Sequence, residues 1–237
     1  MKTELMEYKE GGVTLEGYAA YVATGDKRPG ILLCPDWMAI SGFSNMRANM
    51  LASLGYNVFA ADIYGKGVRP TTPETCAPEM MKYRNDRKLL RARARAGLEM
   101  LKKLPNTDAS RIGVIGYCFG GTTCLELARD GADVKGVVSF HGNLDTPNPA
   151  DAKNIKCSVL VLHGADDPLV PDAEVIAFQK EMREANIDWQ VVSYGNAVHA
   201  YTNWNIPAKT PGAAAYETKA DRRSWVAMQE FFKEVLR

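Results

Sequence analysis

One of the five cysteines in this 237-residue chain lies between glycines, in the segment GYCFGG at residues 116–121. An apolar run at residues 111–115 precedes the segment and a helical pattern follows it, so the cysteine is expected at a sharp turn between strand and helix. The backbone of such a turn is strained and its neighbours have to be small, a condition that the three glycines satisfy. Cys118 is therefore predicted to be a nucleophile. The alternative is that it is a small buried residue.

The surroundings of Cys118 favour a reactive sulfur. A helix that begins near Phe119 would place positive partial charge beside the sulfur, which favours the thiolate. A cysteine thiol is still only a few per cent ionised at neutral pH, so a base has to activate it. His199 can act as that base, and an acid would fix its tautomer and stabilise the imidazolium. Asp166 and Asp167 lie between them in the chain, and the order nucleophile, acid, histidine is that of α/β hydrolases.

Short apolar runs alternate along the chain with helical patterns. The runs lie at residues 31–34, 57–63, 112–118, 134–141, 158–163 and 188–194, and the clearest helical spacing lies at 90–101, 175–182 and 225–235. Most runs lack polar alternation, as expected of strands covered on both faces. Strict alternation of strand and helix predicts right-handed crossovers and a mostly parallel central sheet with helices on both faces. Residues 11–23 are expected to add antiparallel edge strands, and residues 1–237 to form a single α/β domain.

Sheets of this kind bind ligands at the carboxyl ends of their strands. Cys118, the two aspartates and His199 all follow predicted strand ends, so we expect them at one rim of the sheet. The other histidines, His141 and His163, each end a strand before a glycine and are expected to be structural, with pocket lining as the alternative. Three histidines at separate strand ends lack the spacing of metal ligands, so neither a metal nor another cofactor is expected.

Composition excludes several classes of function. The net charge of +1 gives no electrostatic reason to expect nucleic acid or an anionic membrane as a partner. No apolar run approaches the roughly 20 residues that span a bilayer, and the charged N-terminal segment lacks the apolar stretch of a secretory signal. The scattered cysteines form no disulfide framework and no Cys-x-x-Cys pair. We therefore expect a cytoplasmic protein, either monomeric or dimeric, with a small-molecule substrate.

Six segments together carry a resemblance to a known family. They are LEGYAAYVA, PGILLCPDW, FAADIYGKG, GYCFGG, LHGADDPLVP and VHAYTNWN. In combination they resemble the dienelactone hydrolase family, which has the α/β-hydrolase fold, and the likeness covers essentially the whole chain. The resemblance implies Cys118 as nucleophile, Asp167 as orienting acid and His199 as base, with Asp166 as the alternative acid. It also implies hydrolysis of a small carboxylic ester or lactone through an acyl-thioenzyme.

The resemblance further implies groups around the sulfur. The oxyanion hole would be formed by the backbone N–H groups of Trp37 and Phe119. Asp36 stands where family members often carry glutamate, an acid that keeps the thiol neutral until substrate displaces it. The side chain of Asp36 is one methylene shorter than that of glutamate.

Substrate recognition is where the sequence departs from the family. The founding enzymes clamp a substrate carboxylate with two arginines, and here Lys66 and Asn203 stand at those positions. Lysine lacks the bidentate fork and asparagine lacks the charge, so a neutral ester, lactone or thioester is expected at least as readily, with Arg69 as a substitute cation. Other candidates for the substrate pocket, or for ordinary packing, are the aromatic residues Trp37, Tyr117, Tyr201 and Trp204.

A second class of function is compatible with the same residues. A non-catalytic protein of the α/β-hydrolase fold could bind a small molecule or a partner while retaining the site residues. Product burst from an activated aryl ester, lost on alkylation of a single thiol, distinguishes an enzyme from such a binding protein.

Overall fold

An eight-stranded sheet forms the centre of the protein, whose computed structural model describes residues 1–208 and 212–237. The strands are β1 (Lys2–Glu10), β2 (Val13–Tyr21), β3 (Arg28–Cys34), β4 (Asn57–Ala60), β5 (Thr107–Tyr117), β6 (Gly136–Phe140), β7 (Ser158–Gly164) and β8 (Trp189–Tyr194). Their order across the sheet is β1-β2-β4-β3-β5-β6-β7-β8. β2 pairs antiparallel with β1 and with β4, and the remaining pairs are parallel. The predicted α/β class is confirmed. Of the two antiparallel edge strands, β2 lies within the predicted residues 11–23, whereas β1 precedes them.

The six predicted apolar runs correspond to β3 through β8, and their ends differ from the strand ends by up to five residues. β4 ends at Ala60 rather than at residue 63, because the buried Asp62 bends the chain. Its Oδ1 accepts the N–H groups of Tyr64 at 3.1 Å and Gly65 at 3.2 Å. β5 begins at Thr107, before the predicted residue 112, and its extra residues pair with the start of β3 across a register shift.

Helices cover both faces of the sheet. They are α1 (Gly42–Ser53), α2 (Pro73–Asn85), α3 (Arg87–Lys103), α4 (Phe119–Arg129), α5 (Asp172–Glu184) and α6 (Thr218–Val235), with a 3-10 turn at Pro149–Asn154. The three helical patterns in the sequence lie within α3, α5 and α6. Within the described residues, each helix is too short or too polar to cross a bilayer.

Two hydrophobic cores lie on opposite faces of the sheet. Residues of α3, α4 and α5 belong to one core, and residues of α1 and α6 belong to the other. Successive residues of β3 alternate between them: Leu32 contributes to the first core and Leu33 to the second, and both are fully buried. Burial on both faces explains why the parallel strands are continuously apolar. The sheet therefore presents its carboxyl-end loops as a fixed rim.

Candidate active site

Cys118 lies at the turn between β5 and α4. Its φ of 54° and ψ of −119° form a backbone conformation that is rare and strained for a residue with a side chain. A Cβ on Gly116 would lie 1.9 Å from the carbonyl oxygen of Gly120, and a Cβ on Gly120 would lie 1.9 Å from that of Cys34. A Cβ on Gly121 would lie within 2.5 Å of a side chain of β6. The turn is thus held by close backbone approaches that leave room only for glycine, as the sequence predicts.

The structure brings Cys118, His199 and Asp167 into one hydrogen-bonded row. Nε2 of His199 lies 3.0 Å from Sγ of Cys118, and Nδ1 of His199 lies 2.8 Å from Oδ2 of Asp167. The other carboxylate oxygen of Asp167 accepts the N–H of Leu169 at 2.9 Å. His199 and Asp167 are buried, whereas the alternative acid Asp166 is exposed. The acid bonded to the imidazole is therefore Asp167.

The electrostatics of His199 favour its protonated form. Burial disfavours the charged ring, but the Cys118 sulfur and the Asp167 carboxylate outweigh it and raise the pKa of His199 to about 10. A ring with this environment takes a proton readily from the neighbouring sulfur. The three groups can therefore activate a thiol for nucleophilic attack.

The loop that carries His199 is fastened by two sets of contacts. The His199 N–H donates to the carbonyl of Ala213 at 3.1 Å. Further along the loop, the Thr202 carbonyl accepts Nη2 of Arg47 at 2.8 Å, and the same guanidinium pairs with Asp221 on α6. Arg47 is 1% exposed. Four aromatic rings enclose its guanidinium, those of Phe43, Tyr117, Trp204 and Trp225.

A cavity of about 300 Å³ opens beside the sulfur, with Cys118 and His199 in its wall. Most of the remaining wall is apolar and includes Phe43, Met80 and Leu169. Its polar side chains include Asp36, His141, Asn143 and Asn203. Among the described residues that line this cavity there is neither lysine nor arginine.

A second cavity of about 480 Å³ adjoins the first. The two cavities share the side chains of Trp37, Phe43, Asn203 and Ile206. The second has a more polar wall, to which Ser41, Thr71 and Thr72 contribute hydroxyl groups, and its described lining also contains no basic residue. Together the two cavities offer space for an uncharged molecule that is apolar at one end.

The residues expected to form an oxyanion hole both line the first cavity. Phe119 is the first residue of α4, where backbone N–H groups have no acceptor within the helix. Trp37 lies in the loop after β3 and lines the same cavity as Cys118. The structure therefore brings both backbone segments to the cavity that holds Cys118.

Asp36 lines the same cavity and is 8% exposed. Its Oδ1 accepts the N–H of Met38 at 2.9 Å. Burial raises the pKa of Asp36 to about 6, against the opposing effects of the Met38 N–H and of His199. An acid with this pKa changes its charge close to the pH at which such an enzyme would work.

Lys66 and Arg69 lie outside the described lining of both cavities. Lys66 is about half exposed and pairs with Glu7 on β1. Nη2 of Arg69 donates to the Glu16 carbonyl at 3.0 Å, and its Nη1 donates to the carbonyl of Gly65 at 3.0 Å. Acidic and carbonyl groups near the N-terminal edge of the sheet therefore hold both cations away from the sulfur.

Three of the four aromatic candidates lie outside the described lining of both cavities and have packing contacts, the alternative that the sequence left open. Tyr117 is buried and stacks on Phe140 with ring centroids 4.7 Å apart. Tyr201 is fully buried and donates its hydroxyl to the Leu162 carbonyl at 3.0 Å. Trp204 lies over the Arg47 guanidinium. Trp37 does line the cavities, as does Asn203.

Sequence reasoning did not identify several residues of the cavity wall. Met80 on α2, Leu169 after β7 and Asn143 after β6 all face the cavity. Their segments carry no periodic pattern that would have indicated a pocket. His141 also lines the cavity, which was the alternative to the structural role expected from the sequence. Among the described residues, no cluster of histidine, cysteine and acidic side chains could hold a metal ion.

The sheet topology and the row of cysteine, histidine and aspartate are those of an α/β hydrolase. The model of the dienelactone hydrolase family matches residues 15–236, and the chain belongs to this family. It is accordingly a hydrolase that acts on ester bonds.

Known proteins similar to the chain include two solved structures. One, called m3DLH, is 40% identical, with a TM-score of 0.95 over 100% of this chain and 99% of that one. The other is a dienelactone hydrolase-like promiscuous phosphotriesterase from metagenomic libraries, 37% identical, with a TM-score of 0.94 over the same shares. A carboxymethylenebutenolidase homolog of Rattus norvegicus is 28% identical over 185 residues, which cover 76% of this chain and 73% of that protein.

Proposed function

We propose that the protein is a cysteine-dependent hydrolase of small uncharged carboxylic esters or lactones, with residues 1–237 acting as one catalytic domain. The observation that carries the proposal is the row of Cys118, His199 and Asp167 in the wall of a cavity whose described lining has neither lysine nor arginine. Attack by sulfur would form an acyl-thioenzyme, which water then hydrolyses.

In the first half of the reaction, Sγ of Cys118 attacks the ester carbonyl carbon while Nε2 of His199 takes the thiol proton. Asp167 stabilises the imidazolium that forms. The negative charge on the carbonyl oxygen is met by the backbone N–H groups of Trp37 and Phe119, where one such donor is worth about 3–4 kcal/mol in the transition state. Collapse of the intermediate breaks the bond to the leaving oxygen, which takes the proton from His199 and departs as an alcohol.

In the second half, His199 acts as a base toward water. Its Nε2 accepts a proton as the water oxygen attacks the thioester carbon. Collapse expels the Cys118 sulfur, which recovers its proton through His199, and releases the carboxylic acid. For a lactone substrate, the alcohol and the acid are the two ends of one hydroxy acid.

Asp36 is proposed to modulate the thiol and to disfavour anionic substrates. It lines the cavity with Cys118, and Met38 fixes the direction of its carboxyl group. With a pKa of about 6, it carries a negative charge at neutral pH. A substrate carboxylate in the same cavity would meet this charge, and the described wall has no lysine or arginine to offset it.

A burst experiment tests the function. Rapid mixing with a p-nitrophenyl ester of a short acid is expected to release one equivalent of nitrophenol before the slower steady state, with one acyl group found on Cys118 by mass spectrometry. Cys118→Ala should abolish both. Cys157→Ala is the matched control, because Cys157 is also a partly exposed free cysteine but lines neither cavity.

Two results would contradict the proposal. A full burst in Cys118→Ala would exclude this cysteine as the nucleophile. Saturable binding of neutral esters by the wild-type protein, without burst or turnover, would support the alternative of a non-catalytic binding protein.

Hydrolysis of neutral phosphotriesters is a second candidate. A similar structure is described as a promiscuous phosphotriesterase, and the described cavity wall, which has no lysine or arginine, suits a triester because a triester carries no charge. Repeated turnover of a diethyl aryl phosphate by wild type, and its loss in Cys118→Ala, would support this activity. Release limited to one equivalent would instead indicate inactivation by a stable phosphoryl-thioenzyme.

A further inference from the structure

His141 and Cys118 leave neighbouring strands at the same level. β5 and β6 pair with Tyr117 opposite Phe140, so Cys118 and His141 are the next residue on each strand. Both have positive φ, 54° for Cys118 and 40° for His141. The His141 backbone remains part of the sheet, because its N–H donates to the Leu162 carbonyl at 2.9 Å. The ring therefore has a fixed origin beside the nucleophile turn.

Both ring nitrogens of His141 have partners. Nδ1 accepts the backbone N–H of Cys118 at 3.2 Å, an N–H that is shared with the Phe140 carbonyl at 3.0 Å. Nε2 lies 2.8 Å from Oγ1 of Thr202. A backbone N–H can only donate, so Nδ1 has to be unprotonated. The ring proton is therefore on Nε2, which donates it to Thr202.

The surroundings of His141 keep the ring neutral. The residue is 2% exposed. Burial first, and then the nearby charges of His199 and Arg47, hold the pKa of His141 well below its usual range. The rings of Tyr201 and His199 meet it edge-on, with centroids 5.2 Å and 5.4 Å away. A neutral imidazole is the form that can accept from Cys118 and donate to Thr202 at the same time.

We propose that His141 is a positioning residue that sets how the Cys118 sulfur faces the His199 ring. Its imidazole spans from the nucleophile turn to Thr202, in the loop that carries His199, and so joins the two segments whose side chains meet at 3.0 Å. Proton transfer between them depends steeply on their separation and alignment. This inference rests on the proposed roles of Cys118 and His199.

Two substitutions of His141 by side chains of similar shape, one with a hydrogen-bond acceptor and one without, test the effect of the acceptor alone. In His141→Asn, the amide oxygen can take the place of Nδ1 as the acceptor for the Cys118 N–H. Asparagine also tolerates a positive φ. His141→Leu has a similar outline without an acceptor. Thr202→Val removes the other end of the span and leaves the histidine in place. His163→Asn is the control, because His163 is a buried strand-end histidine that lines neither cavity.

The measurements are the rate constant for alkylation of Cys118 by iodoacetamide, and kcat and KM for a neutral aryl ester. His141→Leu is expected to lower the alkylation rate constant and kcat about tenfold, the effect of one hydrogen bond, with KM changed less than about twofold. His141→Asn should stay within about threefold of wild type, and Thr202→Val should lose about threefold. His163→Asn should leave the alkylation rate constant unchanged.

Equal rate constants for the Asn and Leu variants would overturn the proposal, since the acceptor would then have no effect. An effect on KM alone would also overturn it, because it would make His141 a substrate contact. If His141→Leu does not fold, the proposal is tested with Thr202→Val instead. Wild-type rate constants in Thr202→Val would then overturn the proposal. A wild-type protein without an ester burst would contradict the proposed function, while the alkylation rates would still test the positioning role.

Discussion

Two glycine-containing turns follow the strands on either side of β3, and they place their reactive side chains differently. After β5, the turn at residues 116–121 presents Cys118 to a cavity and to His199. After β4, the turn at residues 62–67 directs Lys66 to the sheet edge, where it pairs with Glu7. Both turns lie at the carboxyl ends of parallel strands, where catalytic groups are expected.

The difference lies in how far each side chain reaches and what it meets. Sγ of Cys118 is only two bonds from Cα, and close backbone contacts at the neighbouring glycines hold that backbone in place. The Lys66 ammonium is on a long flexible stem, so acids from β1 and β2 determine where it lies. A motif therefore specifies the place of a short side chain better than that of a long one.

The largest expected effect tests the row of groups at the first turn. His199→Ala should lower kcat/KM for a neutral ester by about a thousandfold or more, because the thiol loses its base. The matched variant His163→Ala removes a buried histidine from the neighbouring strand end and should retain most activity. Stopped-flow burst kinetics measure both variants. If both fold and lose activity to a similar extent, His199 cannot be assigned as the base in preference to His163.

The next largest effect is expected for substitution of Gly120, on both stability and activity. Gly120→Ala would bring a methyl group within 1.9 Å of a backbone oxygen, so the turn has to move. We expect a loss of about 3 kcal/mol in the free energy of unfolding, together with loss of the burst.

Gly12→Ala, in the β1–β2 turn, is the control for this substitution. No heavy atom lies within 4 Å of its added Cβ, so stability and burst should be close to wild type. Urea denaturation measures both variants. A fully active and stable Gly120→Ala would show that glycine contacts do not hold the nucleophile turn.

Asp36 extends the comparison to acids. It is buried in the cavity wall, whereas Glu7 is largely exposed beside Lys66. Because the pKa of Asp36 is raised to about 6, the folded state binds its proton more tightly than the unfolded chain. The stability associated with this proton is present at low pH and is lost as pH rises through about 6, by about 3 kcal/mol in all.

Asp36→Asn should therefore be more stable than wild type at about pH 7.5, with the advantage shrinking toward about pH 4.5. Asparagine can still accept the Met38 N–H, so the substitution changes mainly the charge. Denaturant unfolding at both pH values measures the difference. An advantage that does not vary with pH would contradict the titration of Asp36.

The smallest expected effect concerns the second turn. Lys66→Ala and Arg69→Ala should change the ratio of kcat/KM for a neutral methyl ester to that for its free carboxylate by less than about twofold, since their charges already have partners. Asn203→Arg, which adds a cation to the cavity wall, should shift the same ratio about tenfold toward the carboxylate. A strong dependence on Lys66 would mean that its ammonium reaches substrate.

Much of the fold could be predicted because the signals were local. Strands covered on both faces are continuous apolar runs, and α3 and α6 carry apolar stripes. The spacing of apolar residues did not predict α1 or α2. α1 buries Arg47 and Ser44 beside its apolar residues, while α2 buries only Cys76 and Tyr83. Their places in the structure come from tertiary contacts that a periodicity does not record.

In the candidate site, too, the features with a local sequence signal were predictable and those that depend on distant contacts were not. The glycine frame around Cys118 and the chain order of acid and histidine are visible in the sequence. The contact of His141 with Thr202 joins residues distant in the chain, and the positions of Lys66 and Arg69 depend on residues of β1 and β2. Such pairings have no local signature, so family resemblance alone assigned the cations to the pocket.

The buried guanidinium of Arg47 has a consequence for motion. It bonds the Thr202 carbonyl and Asp221, and water has almost no access to it. Lifting the His199 loop would leave a desolvated cation short of a partner, a cost comparable to opening a large part of the molecule. Backbone amides around residue 202 should therefore exchange with deuterium about as slowly as those of the central strands. We therefore expect substrate and product to pass through the existing mouth of the cavity while residues 199–203 stay in place.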